Sequence, residues 1–388
     1  MILLAEIAFW GSIALAFYAY LGYPCALLGL SFVRNRPVRR SETLDGAPRV
    51  SFVITAHNEG ARIRGKIDNT LDQDYPSDAL EILVASDCST DETDDIVREY
   101  SPRVRLVRAG ERQGKEAAQR LALQSASGEI FVFSDVATAL ARDGVATMVA
   151  NFADPTVGCV SSIDRFVDAD GRVSGEGAYV RYEMHMRALE TRVNSVVGLS
   201  GSFFAARREV CREWAADRQS DFSTLLRSVE MGLRGVLDAR SAGYYRNLAD
   251  DRQEFERKVR TVVRGIYVLA TNVRMLNPLR HGLFAWQLAS HKLCRWLVPF
   301  AMVGAALGNV VLLSRHPLYV VSMLLQCAFY AAAWAGIRTG APSLRIPAYL
   351  LRANVAVLLA WLRFARGERI ALWNPSDRLA ALPSAGAR

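Results

Sequence analysis

The sequence predicts an α/β domain with a Rossmann-like, mainly parallel sheet, flanked on both sides by membrane-associated helices. Three observations predict this class: apolar strands alternate with helices over 49–163, the two ends of the chain are strongly apolar, and polar side chains follow the apolar strands. Alternating strands and helices indicate βαβ units, and such sheets place ligands at the carboxyl ends of their strands.

Composition narrows the class of protein further. Of the 388 residues, 51% are hydrophobic, and the net charge is +8. The apolar excess lies at the two ends, which indicates membrane segments rather than a larger core. The chain has no basic run interleaved with aromatic residues, so the charge does not indicate nucleic-acid binding. The six cysteines lack CxxC or paired spacing, so we expect reduced thiols in a protein that faces the cytosol.

The first element is an apolar segment over 1–33, which is longer than the roughly 20 residues that a membrane span needs. It has neither a basic start nor a small-residue cleavage site, so an uncleaved anchor is expected rather than a signal peptide. Four arginines follow at once: Arg34, Arg36, Arg39 and Arg40. The positive-inside rule places this side in the cytoplasm. We therefore expect a multi-pass cell-membrane protein whose central domain, 45–276, faces the cytoplasm.

The central domain contains four apolar strands in its first half. They are predicted over 49–56, 81–86, 104–107 and 129–134, with helices between them over 59–73, 89–100 and 115–126. A further strand is expected over 157–163, with helices over 176–193, 223–231 and 253–275. The chain has neither the dinucleotide fingerprint nor the P-loop, so a nucleotide would be bound through other contacts.

The strand at 129–134 delivers Asp135, a carboxylate that apolar packing does not explain. Four large apolar residues precede Ser134 and Asp135, as in a buried strand. Because a buried charge must be paired or bound to a cation, Asp135 is a candidate ligand for a divalent metal on a diphosphate. Capping of a helix that begins at Thr138 explains the residue equally well.

From residue 277 the chain again has the character of membrane segments. Segment 277–296 mixes aromatic with basic residues, as does a helix in the headgroup layer. The stretch 297–337 is apolar enough for two transmembrane helices. The last segment, 343–388, places four arginines on one helical face between 345 and 366. Since an arginine costs about 2.5–3.5 kcal/mol at a bilayer centre, an interfacial or protein-facing helix is favoured there over a lipid-exposed span.

Several short motifs, taken in order, resemble those of membrane-bound family 2 glycosyltransferases, which are inverting enzymes with a GT-A fold. The motifs are Val53–Glu59, Ser86–Thr93, Gly114-Lys115, Phe133–Asp135, Leu199–Ser202 and Ser220–Phe222. Each motif alone is weak, whereas their order and spacing together are specific. The resemblance covers about 49–292. It implies transfer of a sugar from a nucleotide sugar, with UDP expected, to a hydroxyl of a lipid-linked or small acceptor.

The resemblance also implies roles for individual residues. Nucleotide binding is expected of Ala56, Glu59, Asp87, Lys115 and Ser134. Contact with the acceptor or the diphosphate is expected of Gly201, Ser202, Arg257 and Arg260. Asp221 corresponds to the general base that removes a proton from the acceptor hydroxyl.

Each of these roles has a plainer alternative. Asp87 could be a turn residue, Lys115 a solvated helix start and Asp221 a helix cap. Asp217 is the rival candidate for the base.

The metal motif departs from the family pattern. The usual pair is D-x-D or D-x-N, whereas this chain has Asp135, Val136 and Ala137. The resemblance still implies Mg²⁺ or Mn²⁺ at Asp135, with diphosphate oxygens and water completing the octahedron. The missing second ligand leaves room for a lysine or arginine at the leaving group. It also motivates another hypothesis, a catalytically silent family member that acts as a scaffold.

A second departure concerns processivity. Processive polysaccharide synthases carry Q-x-x-R-W after the base, whereas the corresponding stretch here, 257–261, reads RKVRT. The tryptophan that normally stacks on the acceptor sugar is absent. Single transfer is therefore favoured, and a processive exopolysaccharide synthase remains the alternative.

Overall fold

The computed structural model describes residues 1–44, 46–167, 178–246 and 251–369. Within these residues the chain divides into two compact units, which are described separately. The sheet unit comprises 30–249 and 277–284. The helical unit comprises 1–29, 250–276 and 285–369.

A mixed sheet forms the centre of the sheet unit. Its strands are β1 (Val50–Ala56), β2 (Leu80–Ser86), β3 (Val104–Arg108), β4 (Ile130–Asp135), β5 (Ala139–Leu140), β6 (Val157–Val167), β7 (Phe203–Arg207) and β8 (Arg234–Arg246). Their order in space is β3-β2-β1-β4-β7-β6-β8-β5. The first four strands pair in parallel, and β6 pairs in parallel with β8. β7 runs antiparallel to β4 and β6, and β5 runs antiparallel to β8. The predicted α/β class is confirmed, although the sheet is more mixed than expected.

The α-helices surround this sheet or belong to the helical unit. In chain order they are α1 (Ile2–Phe17), α2 (Tyr23–Val33), α3 (Gly60–Leu71), α4 (Thr93–Arg98), α5 (Lys115–Ser125), α6 (Gly144–Val149), α7 (Ala178–Val193), α8 (Ser220–Glu230), α9 (Asp251–Thr271), α10 (Pro278–Leu288), α11 (Arg295–Leu312), α12 (Pro317–Thr339) and α13 (Arg345–Ala365).

Both faces of strand β1 are buried. Phe52 and Ile54 belong to one hydrophobic cluster together with Ile63 of α3. Val53 belongs to a second cluster together with Ala118 of α5. Because side chains alternate along a strand, β1 contributes to an apolar layer on each side of the sheet. This arrangement explains why the sequence of β1 is continuously apolar rather than alternating.

Strand β8 was not expected from the sequence. Its middle contains Asp238, which is 1% exposed and would ordinarily indicate a loop. The carboxylate of Asp238 accepts hydrogen bonds from Asn151 and Arg240 and lies 3.3 Å from the guanidinium of Arg40. Asn151 and Arg40 come from remote parts of the chain, whereas Arg240 lies two residues away in β8 itself, so the residue pattern of β8 alone does not reveal that it is a strand.

The basic segment that follows α2 is bound to the sheet unit. Arg34 donates to the carbonyl of Val193, and Arg36 donates to the side chain of Asn194, each at 3.0 Å. The positive-inside rule explained Arg34 and Arg36 only as basic residues on the cytoplasmic side of the first membrane segment. The structure gives them a second task, because their hydrogen bonds attach the segment to the end of α7.

Four helical segments of the described residues are long and apolar enough to cross a membrane. They are Ile2–Val33, Pro278–Leu312, Pro317–Thr339 and Pro342–Ala365. The segment expected at the membrane interface, 277–296, and the first stretch expected to span after it lie together in one of these four. The arginine-bearing segment expected near the interface forms another.

Within the helical unit, α13 contacts α9 through charged side chains. Arg363 lies 3.2 Å from the carboxylate of Glu256, and the ammonium of Lys258 lies 4.6 Å from the centre of the Tyr349 ring. Part of the basic face of α13 therefore contacts protein. The carboxylate of Glu256 offsets the charge of Arg363, which lipid could not do.

Candidate functional site

The loops after β1 and β2 are fixed to each other at the carboxyl edge of the sheet. Asn58 and Cys88 both have positive φ angles, of 52° and 56°, which are uncommon for residues other than glycine. The side-chain oxygen of Asn58 accepts a hydrogen bond of 2.8 Å from the amide of Thr90. Strained backbone of this kind is found at binding sites, and here it lies where parallel strands present their ends.

Asp87 is buried beneath this edge and fixes the loop that leads into α5. Its carboxylate is 0% exposed and accepts hydrogen bonds from the amides of Gln113, at 2.9 Å, and Gly114. Gly114 has a φ of 100°, a conformation that a glycine adopts without strain. The amide of Asp87 donates to the carbonyl of Ala56. Ala56 and Asp87 thus form the floor of the edge and determine where Lys115 begins its helix.

Glu59 lies close by, buried at 3% exposure. Its amide donates to the hydroxyl of Thr93, and its carboxylate lies 2.6 Å from the guanidinium of Arg62. Burial raises the pKa of Glu59 to about 7, and the charges of Asp135 and Asp91 act in the same direction, whereas Arg62 acts against it. Glu59 is therefore a carboxyl group that takes up or releases a proton close to neutral pH.

Lys115 occupies the centre of the site. Its ammonium lies 2.5 Å from the carboxylate of Asp135 and donates a 3.1 Å hydrogen bond to the carbonyl of Gly201. The residue is 7% exposed, so the alternative of a solvated helix start is wrong. Asp135 does not cap a helix either, because α6 begins only at Gly144. An ammonium held between a carboxylate and a carbonyl can bind a phosphate that enters beside it.

The loop that carries Gly201 is attached to both sides of the site. The carbonyl of Ser202 accepts a 3.1 Å hydrogen bond from the amide of Asp135. The hydroxyls of Ser200 and Ser202 both donate to one oxygen of Asp164, at 2.6 and 2.8 Å. Asp164 was not predicted as a site residue. It lies inside β6, where Ser161, Ser162 and Ile163 precede it, so it lacks the run of large apolar residues that identified Asp135.

Asp221 reaches this loop from the first turn of α8. The residue is 8% exposed, and one of its oxygens accepts a 3.1 Å hydrogen bond from the side chain of Gln219. A Cβ added to Gly201 would lie 3.3 Å from a carboxylate oxygen of Asp221. The N-cap position is taken by Gln219, so Asp221 is not the cap. Its rival Asp217 is exposed, 3.8 Å from the Arg218 guanidinium.

The hydroxyl of Ser134 is turned into the protein. Ser134 is 3% exposed, and its oxygen accepts a 2.7 Å hydrogen bond from the ammonium of Lys66 on α3. Lys66 also donates to the carbonyl of Thr138, at 2.6 Å. Lys66 was not predicted as a site residue, because a single lysine in an amphipathic helix reads as a solvated side chain.

The residues present fit a divalent metal in one limited sense. Within the described residues no group of three or more His, Cys, Asp or Glu side chains could enclose an ion. Mg²⁺ is commonly bound by only one or two carboxylates together with substrate phosphates. Asp135, whose side chain is 25% exposed at the strand end, meets that minimal requirement. Lys115 already contacts one of its oxygens, so a metal and this lysine would share the carboxylate.

The two remaining predicted residues lie on α9 of the helical unit. Arg257 is paired with Glu254 one turn earlier, at 2.8 Å. Burial and the nearby charges of Arg264 and Arg257 lower the pKa of Arg260. Within the described part of the chain no carboxylate forms an ion pair with Arg260. A half-buried guanidinium without a counter-charge is suited to an anionic ligand.

The structure therefore brings most of the predicted residues of the sheet unit to one edge. Lys115 touches both Asp135 and Gly201, and Gly201 in turn lies against Asp221. Ala56 and Asp87 form the floor of this edge, and Glu59 lies in the loop after β1. The carboxylates predicted for metal binding and for base catalysis, Asp135 and Asp221, are thus linked through one lysine and one glycine.

Known proteins similar to this chain indicate its family and its fold. The family model described as glycosyl transferase family 2 matches residues 51–214. A probable glycosyltransferase of Bacillus subtilis, YdaM, is 34% identical over 114 residues, which are 27% of this chain and 26% of that protein. A beta-monoglucosyldiacylglycerol synthase of Nostoc sp. is 27% identical over 223 residues, or 55% of this chain and 47% of that protein. The chain thus spans about half or less of the length of these relatives.

A solved structure confirms the predicted GT-A fold class. A mannosyltransferase from Pyrobaculum calidifontis, in complex with GDP-Man and Mn²⁺, has a TM-score of 0.74 and 24% sequence identity. The match covers 94% of this chain and 99% of that one. The matched domain and the fold agree: residues 51–214 form a glycosyltransferase family 2 domain.

Proposed function

We propose that this protein is a membrane-anchored, inverting glycosyltransferase that moves a sugar from a nucleotide sugar to a hydroxyl of a lipid acceptor. One observation carries the proposal: the Lys115–Asp135 pair lies against Gly201, and Gly201 lies against Asp221. A cation for a leaving phosphate and a carboxylate for a nucleophile are therefore close together, which is what the reaction requires.

Asp221 is the general base in this proposal. Its carboxylate takes the proton of the acceptor hydroxyl as that oxygen forms a bond to the anomeric carbon. The bond from this carbon to the diphosphate oxygen breaks on the opposite face, and the nucleoside diphosphate leaves with the electron pair. The ammonium of Lys115 stabilises the negative charge that develops on the leaving phosphate.

Asp135 is the residue that would bind Mg²⁺ or Mn²⁺ together with the diphosphate. The metal, when bound, supplies a second positive charge at the leaving group. The mannosyltransferase of similar fold was solved with Mn²⁺, which supports a divalent cation here without selecting one. Lys115 supplies positive charge whether or not the metal is bound, so stabilisation of the leaving phosphate does not depend on the metal alone.

The donor is a nucleotide sugar held at the carboxyl ends of β1 and β2. Glu59, Lys115 and the loop over Ala56 and Asp87 are its proposed contacts. UDP is the expected nucleotide, and GDP is the other one to test, because the mannosyltransferase of similar fold was solved with GDP-Man.

The acceptor is proposed to be a lipid. Relatives in two cyanobacteria are named beta-monoglucosyldiacylglycerol synthases, and the described residues contain four helices long and apolar enough to cross a membrane. Arg257 and Arg260 are the proposed contacts for a charged group of the acceptor or for the diphosphate. The sheet unit, which carries the basic segment after α2, faces the cytoplasm, where nucleotide sugars are made.

The test is sugar transfer by the purified full-length chain in lipid vesicles, with UDP- and GDP-sugars as donors and diacylglycerol or glycolipid acceptors. We expect Asp221→Asn to lower the turnover by about 10²- to 10⁴-fold, because the general base is lost. Nucleotide binding, measured by calorimetry, should stay within about threefold of the wild type, because Asp221 lies on the acceptor side.

Asp217→Asn is the matched control, since it neutralises an exposed aspartate four residues away. Equal turnover of Asp221→Asn and wild type would refute the assignment of the base. A wild-type protein that binds neither UDP nor GDP with Mn²⁺ would favour the scaffold hypothesis. Products that lengthen without release would favour a processive synthase.

A further inference from the structure

Lys66 and Asn69 of α3, and Gln73 just after the end of α3, bind the stretch between Ser134 and Val145. Lys66 donates to Ser134 and Thr138, as described above. Asn69 exchanges two 2.9 Å hydrogen bonds with the backbone of Leu140. Gln73 donates to the carbonyl of Ala141 and accepts from the amide of Val145, at 2.9 and 3.0 Å. Lys66 and Asn69 lie three positions apart on one face of α3, and Gln73 follows two residues after the helix ends, so the three side chains contact this stretch in chain order.

The first of these contacts spans the turn that contains Asp135. Ser134 and Thr138 lie on either side of Asp135, and a backbone hydrogen bond from Thr138 to Asp135 closes the turn. Lys66 bonds to both flanking residues with one ammonium group. Lys66 therefore holds the residues on both sides of Asp135, while Lys115 contacts the carboxylate itself.

Lys66 is costly for the protein to keep. The residue is 3% exposed, and its ammonium lies 5.4 Å from the centre of the Phe52 ring. Within the described residues no carboxylate comes within ion-pair distance of it. Burial lowers the pKa of Lys66 to about 7, opposed by the negative charge of Asp135. A methionine of similar length would fill this space without the cost of desolvating a charge, so packing alone does not explain the lysine.

We propose that Lys66 is a positioning residue for the metal and diphosphate site: it fixes the Ser134–Thr138 turn and so determines where the Asp135 carboxylate stands. This inference rests on the proposed function. The family pattern has a second metal ligand at the position of Ala137, and that ligand would help to hold the metal in place. In this chain, Lys66 on the neighbouring helix α3 would instead hold Asp135 in position.

The test compares Lys66→Met with Gln73→Met in the full-length protein. Both variants replace a buried side chain that makes two hydrogen bonds to the same segment, but only Lys66 contacts the turn around Asp135. For Lys66→Met we expect turnover to fall and the nucleoside diphosphate Kd in the presence of Mn²⁺ to rise, each by about 10- to 100-fold, as a displacement near 1 Å produces. For Gln73→Met we expect both values to stay within about threefold.

Calorimetry with UDP or GDP, whichever the wild type binds, separates positioning from stability. With a chelator instead of Mn²⁺, we expect the Kd of Lys66→Met to differ little from that of the wild type, because the turn acts through Asp135. Melting temperatures show whether the two variants lose similar stability. Lys66→Gln, which keeps a donor, should give an intermediate loss, and it carries the test if Lys66→Met does not fold.

Two outcomes would overturn the inference. One is a Mn²⁺-dependent affinity of Lys66→Met equal to that of the wild type. The other is an equal loss of affinity in Gln73→Met. If the wild type itself binds no nucleotide, the proposed function fails first, and that result is distinct from a failure of Lys66 alone.

Discussion

At the scale of single residues, the site depends on charges that neighbouring groups hold in place. Lys115 is 7% exposed and contacts a carboxylate and a carbonyl at once. An ammonium with two fixed acceptors needs little reorganisation when a phosphate arrives, and such preorganised charge is the largest single source of catalytic stabilisation. Asp221 accepts a hydrogen bond from the side chain of Gln219 and lies close to Gly201.

Glu59 provides a prediction for pH dependence. Its folded-state pKa of about 7 lies above the ordinary value of 4.5, so the folded protein binds more protons than the unfolded chain between these values. Stability therefore falls as the pH rises from about 4.5 to 7. The size of this contribution is about 3 kcal/mol, since one pKa unit corresponds to about 1.4 kcal/mol.

Removing the titrating group should remove this slope. We expect Glu59→Gln to gain stability relative to the wild type as the pH rises from 5 to 8, measured by thermal melting in detergent at each pH. Glu92→Gln, an exposed residue in the loop before α4, is the control and should follow the wild type. Parallel melting curves for Glu59→Gln and wild type over this range would contradict the assignment.

Sequence reasoning found some site residues and missed others for a physical reason. Asp135 and Asp221 follow apolar runs or short motifs, so local patterns identified them. Lys66 and Asp164 act through partners that are 68 and 36 residues away in the chain. A lysine on a helix and an aspartate within a strand have no local signature of these distant hydrogen bonds, and only the folded structure reveals them.

At the scale of elements, the sheet is assembled by close backbone contacts as well as by apolar packing. Gly128, just before β4, lies against the start of β1, where its amide donates a 2.8 Å hydrogen bond to the hydroxyl of Ser51. A Cβ added to Gly128 would lie 2.4 Å from the backbone nitrogen of Ser51. No side-chain rearrangement can relieve a contact with backbone, so β4 and β1 would have to separate.

This contact predicts a large effect for a small substitution. We expect Gly128→Ala to lower the free energy of unfolding by about 1–3 kcal/mol, the range found for overpacked cores. Gly65→Ala is the matched control, because nothing lies within 4 Å of its added Cβ and alanine favours the helix. Melting temperatures of both variants check the prediction. An unchanged value for Gly128→Ala would show that the strands separate at little cost.

The same contrast explains which elements the sequence predicted. β1, β2, β3 and β4 are short, apolar and bounded by polar turns, and their predicted bounds differ from the structure by at most one residue at each end. β8 is longer and contains the buried Asp238, whose charge is paired with the distant Arg40 and with Arg240 of the same strand. Apolar burial leaves a local record in the sequence, whereas burial through ion pairs does not.

At the scale of the whole molecule, the basic segment after α2 bears on both the membrane orientation and the packing of the sheet unit. The positive-inside rule favours the cytoplasmic side for its arginines. The folded sheet unit requires the same residues, because Arg34 and Arg36 bond to the end of α7 and Arg40 lies 3.3 Å from Asp238. The same arginines therefore serve the packing of the domain and, by the positive-inside rule, motivate the cytoplasmic orientation that we propose for the sheet unit.

A topology experiment can check this orientation. Asp95 on α4 has a side chain that is 79% exposed, so Asp95→Cys offers a thiol on the surface of the sheet unit. The background replaces by serine the four cysteines that are not buried, Cys25, Cys88, Cys294 and Cys327. In this background we expect a membrane-impermeant maleimide to label the Asp95→Cys thiol only after the cells are permeabilised. Labelling of intact cells would place the sheet unit outside, away from cytoplasmic nucleotide sugars. That result would refute the orientation and remove the donor supply on which the proposed reaction depends.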